Sequence, residues 1–160
     1  MISQHSAEEL HRFLQDCLTF YKSFLDLEKE KYSDITANRL QALDRHVKNE
    51  EVFMLKARGL EQERVRLLSE AGQPDVTFRT LLPMLEPPAR KPMEQLYGEL
   101  SAVVLQVKET NLRCNYLAEL RLHRVKAELK KLENRPDLQK VYDAAGRENG
   151  HGPQFLSKKI

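Results

Sequence analysis

From about Met93 to Pro136 the chain contains no proline, and Met93, Leu96, Leu100, Val103, Val107, Cys114 and Leu117 recur at steps of three and four. That period lines the side chains along one face of an α-helix. The spacing predicts a helix of about forty residues, roughly 60 Å long at 1.5 Å per residue, which would be the spine of the molecule. In its second half the stripe shifts register to Leu122, Val125, Leu129 and Leu132, with Arg121, Arg124, Lys126, Lys130 and Lys131 around it. An apolar stripe so far along a spine needs cover. Either the second helix of the chain extends that far, or the surface is left for another protein.

Helix signals precede the spine. Ser6-Ala7-Glu8-Glu9 reads as a capping box, so a helix is expected to start there. Leu10, Phe13, Leu14, Cys17, Leu18, Tyr21, Phe24 and Leu25 carry its apolar stripe, which runs to about Tyr32. Ser33, Asp34 and Thr36 offer a cap or a short connection. A second helix, marked by Leu40, Leu43, Val47, Met54 and Leu68, is expected to end near Ala71, with Gly72 just past its last turn. Glu50, Glu61 and Arg64 stand where a strict seam would be apolar, so the middle of this helix should pack less tightly than its ends. The next stretch is rich in proline, yet Phe78, Leu81, Leu82 and Leu85 cluster within it and predict a short helix starting near Thr77.

The fold class that follows is all-α: a long antiparallel helical hairpin or bundle, a short helix in a Pro-rich connection, and a flexible C-terminal tail. The chain divides into a helical body, 1–135, and a tail, 136–160. In the tail, Pro136 and Gly146 bracket a short conditional helix whose Leu138, Val141, Tyr142 and Ala145 share one face. With 41% hydrophobic and 31% charged residues and a mean hydropathy of −0.60, the composition is that of long amphipathic helices around a thin core.

The 26 basic and 24 acidic residues are interspersed, so no overall field draws the chain to nucleic acid or anionic lipid. No apolar run approaches the length of a bilayer span, so no membrane insertion is expected. The N-terminus lacks the pattern of a cleaved signal, and Cys17 and Cys114, each among apolar residues, read as reduced core thiols of a cytoplasmic protein.

Convergent chemistry is sparse. Glu8 and His11 form one Glu-x-x-His, but a di-iron site of that kind needs a second copy and further inward carboxylates. No nucleotide-binding, zinc-protease or nucleophile-elbow motif occurs, so no catalytic residue, metal ligand or cofactor is expected. The basic cluster 121–135 is opposed by Glu119, Glu128 and Glu133 and has no interleaved aromatic platform, which favours a solvated face over protein docking or a nucleic-acid groove. Asn111 and Asn115, four apart in mid-helix, form either a surface strip or a polar inset in the seam that fixes register or receives a partner's backbone.

Taken together, the connection Thr77-Phe78-Arg79-Thr80-Leu81-Leu82, the leucine-flanked Asn111 and Asn115, and the tail motif Tyr142-Asp143-Ala144-Ala145-Gly146 resemble the FlgN family of flagellar type III export chaperones. The resemblance spans nearly the whole chain. It departs at Asp143, where members often have glycine, and in the Pro-rich link 87–92. It implies a cytosolic, non-catalytic chaperone that binds the hook–filament junction (hook-associated) proteins and delivers them to the flagellar export gate. Substrate binding would then fall on Asn111, Asn115, Leu122, Val125, Leu129 and Leu132. Tyr142 and Gly146 would dock to the gate, or Tyr142 would pack on the bundle instead. The alternative is a structural coiled-coil or adaptor protein that uses its apolar stripe to form a homo-oligomer.

Overall fold

The computed structural model describes residues 1–134; the tail over 136–160, with its short helix, Tyr142 and Gly146, lies outside the described residues. Among the described residues there are four α-helices and no strand: α1 Gln4–Thr36, α2 Leu43–Glu70, α3 Phe78–Leu81 and α4 Pro87–Glu133. Single 3-10 turns at Leu40–Ala42 and Leu82–Met84 complete the connections.

Helix α1 begins one turn earlier than its capping box predicts. Ser3 is the N-cap, its hydroxyl accepting from the Ser6 amide at 3.1 Å, while Ser6 and Glu9 lie within the helix. Nothing between Ser3 and Ser6 resists helical geometry, and buried Ile2 anchors the added turn in the core. The helix also outlasts Tyr32. Thr36 returns its hydroxyl to the Tyr32 carbonyl at 2.8 Å, and Asn38 takes a left-handed φ of 62° that turns the chain. Ser33 and Asp34 are therefore helical.

The two ends of α2 hold its buried side chains, Leu43, His46 and Val47 at one end and Leu67 and Leu68 at the other. Its polar middle leaves Met54 56% exposed, which removes that residue from the expected core; Leu40, in the preceding turn, is also exposed. Gly72 closes the helix with φ +75°, a conformation that a Cβ would strain. Thr77 caps α3 by accepting from the Thr80 amide at 3.3 Å.

Helix α4 takes in the prolines expected to precede it. Pro87 and Pro88 fill its first positions, where no amide partner is required. Pro92 lies deeper and leaves the Pro88 carbonyl without its usual amide donor. Arg90 ties this start down, donating to the Leu85 carbonyl at 2.8 Å and to the Pro83 carbonyl at 2.7 Å. The helix spans 47 residues, about 70 Å.

Paired residues give the directions. His46 lies against Asp34, and Leu67 and Leu68 share a core cluster with Leu10 and Leu14, so α2 runs antiparallel to α1. Met93 joins that same cluster near the start of α1, Cys114 lies against Glu28, and Arg121 reaches Thr36, so α4 runs parallel to α1. Helix α1 is thus flanked by α2 and α4. The larger core sits at its N-terminal end, where α3 and the adjoining turn close it through Phe78, Leu81, Leu82 and Leu85. A smaller cluster of Ile35, Leu43 and Cys114 sits at its far end.

Candidate protein-binding surface

The side of α4 that faces α1 is defined by buried Val107, Cys114 and Ala118. Steps of four and three carry that line from Asn111 through Asn115, Ala118, Leu122, Val125, Leu129 and Leu132. The expected register shift is absent: Leu122, Val125, Leu129 and Leu132 continue one unbroken seam. What changes is the helix opposite. Helix α1 stops at Thr36, and Arg121 clasps its end, donating to the Thr36 carbonyl at 2.9 Å and to Asn38 Oδ1 at 2.8 Å. Helix α2 starts at this level, with Leu43 packed beside Cys114, and runs back toward the N-terminus of α1. It does not extend along the last turns of α4. Residues 122–133, about 18 Å of helix, therefore project past the end of α1. Val125 is 50% exposed there, and Leu122, Leu129 and Leu132 are half-buried.

Asn111 and Asn115 form the polar inset that the spacing allows. The Asn111 amide donates to Glu28 Oε2 at 3.3 Å, and the Asn115 amide donates to Asn111 Oδ1 at 3.4 Å. Glu28 is fully buried and 3.0 Å from the Lys31 ammonium, which also bonds Glu50 of α2. A polar layer thus joins all three long helices between the two apolar clusters. Burial, followed by the neighbouring Glu28 carboxylate, pushes Glu50 up from 4.5 to about 7 against the opposing pull of Lys31. Burial alone would lower Lys31, but its bonds and charge pairing with Glu50 and Glu28 raise it.

The contribution of Glu28 and Lys31 went unread in the sequence. Its signal was their position on the α1 stripe between Leu25 and Ile35, where charged residues interrupt an apolar face. A second polar set closes the α1–α2 turn: Asp34 accepts from Arg39 at 2.8 Å and lies 2.5 Å from His46 Nε2. His46 and then Arg39 hold the Asp34 carboxyl below its ordinary value. Burial raises both thiols, Cys17 and Cys114, to about 11, so they remain protonated.

Glu8 and His11 line a groove of about 660 Å³ between the first turns of α1 and the proline-rich start of α4. This groove lies at the opposite end of the molecule from the projecting seam. Among the described residues no group of three or more His, Cys, Asp or Glu is placed to hold a metal ion, and no helix is long and apolar enough to cross a membrane.

The family model described as FlgN protein matches residues 1–150. The chain belongs to the FlgN family. FlgN proteins are chaperones of flagellar protein export. No curated protein and no solved structure matches the chain. In this FlgN-family member Asn111 lies against Glu28, about two turns before α1 ends at Thr36, and only Leu122, Val125, Leu129 and Leu132 lie past that end.

Proposed function

We propose that this FlgN-family chaperone binds hook–filament junction proteins in the cytoplasm by taking an amphipathic helix of the substrate onto the projecting seam of α4. The observation that carries the reading is that α1 ends at Thr36 while the α4 seam runs on through Leu122, Val125, Leu129 and Leu132. A substrate helix laid there would take up the line that α1 leaves and bury its apolar face, as helix-in-groove recognition requires. Asn111 and Asn115 continue the same line inward, beneath α1, where Asn111 bonds Glu28. Tyr142 and Gly146, in the tail, are the proposed contact to the export gate.

Val125→Asp with Leu129→Asp tests the seam by co-expression with the junction proteins. Co-purification is expected to be lost with helicity retained, and unchanged co-purification overturns the assignment. A Tyr142→Ala variant tests the tail. Loss of gate binding at unchanged thermal stability supports docking, whereas retained binding with a lowered melting temperature assigns Tyr142 to packing. The homo-oligomeric adaptor is the second reading, favoured by Leu105, Leu112, Tyr116 and Leu120, exposed along the other side of α4. Light scattering separates the two: a constant oligomer indifferent to junction proteins supports the adaptor.

A further inference from the structure

The projecting seam stops where α4 stops. Leu132, its last member, is followed by Glu133, the final residue of the helix, and by Asn134, whose amide closes the last turn on the Leu132 carbonyl. Pro136 comes two residues later. A proline disfavours helical geometry at the residue before it, here Arg135, and is itself suited to the first turn of a new helix, so the sequence predicts a break just past the seam. Over residues 136–146, Leu138, Val141, Tyr142 and Ala145 stand at the spacing of one helical face, with Gly146 at its end. A helix of that length measures about 16 Å, against the roughly 18 Å by which residues 122–133 project past α1. Asn134 and Arg135 make a connection short enough to turn one helix back along another.

Resting on the reading of the seam as the substrate surface, we propose that in the free chain its own tail segment 136–146 folds back antiparallel to α4 and covers the seam, so that tail and substrate helix exclude one another. The seam continues the α1–α4 interface, and α1 leaves it at Thr36, so the vacant place is that of a single helix beside α4. The tail helix fits that place from the other end. With the turn at Asn134 and Arg135, Leu138 falls beside Leu132, Val141 and Tyr142 beside Leu129, and Ala145 beside Val125; Gly146 then ends the helix before it meets Thr36 and Arg121. A helix this short is marginal alone in water. Its tether offsets this, because a connection of two residues holds the segment at an effective concentration on the order of millimolar. Release of the tail is a local opening that leaves the core between α1, α2 and α4 folded. The substrate's apparent dissociation constant is therefore raised by the inverse of the fraction of chains whose seam is open.

The test uses the full 160-residue chain. Backbone carbon chemical shifts over residues 136–146 are expected to be helical and independent of protein concentration. In Val125→Asp with Leu129→Asp they are expected to move to coil values while those of α1 stay unchanged. Leu138→Asp with Val141→Asp keeps the seam and removes the tail's apolar face. Titrated by calorimetry with the junction protein that co-purifies with the wild type, this variant is expected to bind about ten-fold more tightly, as follows if about one chain in ten is open. Coil shifts in the wild type, or helical shifts that survive Val125→Asp with Leu129→Asp, overturn the inference. Helical shifts that fade on dilution make the tail of a second copy the occupant and overturn it too. Equal affinity of the wild type and the Leu138/Val141 variant, lost in the Val125/Leu129 variant, overturns the exclusion and leaves the seam reading standing. A tail released in the Val125/Leu129 variant, with the junction protein still bound there, keeps the tail on the seam and overturns the substrate reading instead.

Discussion

The amide of Asn111 on α4 donates to the carboxylate of Glu28 on α1 at 3.3 Å, next to the Lys31 ammonium that reaches across to Glu50 on α2. A slip along either interface would separate the buried Lys31 from Glu28 and Glu50 and leave charged groups buried and unpaired, so this layer favours one register of the three helices.

Asn111→Ala removes a donor from fully buried Glu28, so it is expected to lower stability by about 1–2 kcal/mol. Urea denaturation checks this, with an unchanged m-value showing that the native fold is kept.

Glu50 makes stability depend on pH. Its folded-state value is raised, so between about 4.5 and about 7 the native state holds a proton that the unfolded chain releases. Stability from this group is therefore full below 4.5 and is lost as pH rises toward 7. Glu50→Gln removes that part of the slope. Discounted for solvent screening at a partly exposed group, the difference between wild type and variant across the window should be about 1 kcal/mol, read by denaturation at several pH values.

Arg121→Ala removes the clasp on Thr36 and Asn38. The expected cost is about 1 kcal/mol, a fall in melting temperature of roughly 2–4 °C for a chain of this size. Amide exchange should quicken in the last turn of α1.

Two glycines should respond with opposite signs. Gly72→Ala forces a Cβ into a φ of +75° and is expected to destabilise by about 1 kcal/mol. Gly98→Ala, inside α4 with no atom near the added Cβ, is expected to stabilise by about 0.5–1 kcal/mol. Differential scanning fluorimetry on the two variants reads both.

Cys17 and Cys114, both buried and raised to about 11, should react with a disulfide reagent at pH 8 about 100-fold more slowly than in denaturant. A fast native reaction at either thiol would place it outside the core.

The sequence by itself determined the helical class, the long last helix, the stop at Gly72, the start of a short helix near Thr77 and the apolar side chains at the ends of α2. These are local matters: a period of 3.6, a left-handed glycine, and a hydroxyl that accepts from an amide three residues on. Boundaries were less legible, as Ser3 and Pro87 show, because a cap one turn earlier and a proline among the first helical positions are each locally permitted. Only the tertiary structure decided that α1 lies between α2 and α4, that α4 runs parallel to it, and that α1 ends beside Arg121 while the seam continues. It also decided that Glu28 and Lys31 are buried and that Asn111 faces them. A residue's period gives its side of a helix, but which helix covers that side, and how far, depends on the lengths and directions of elements distant in the chain.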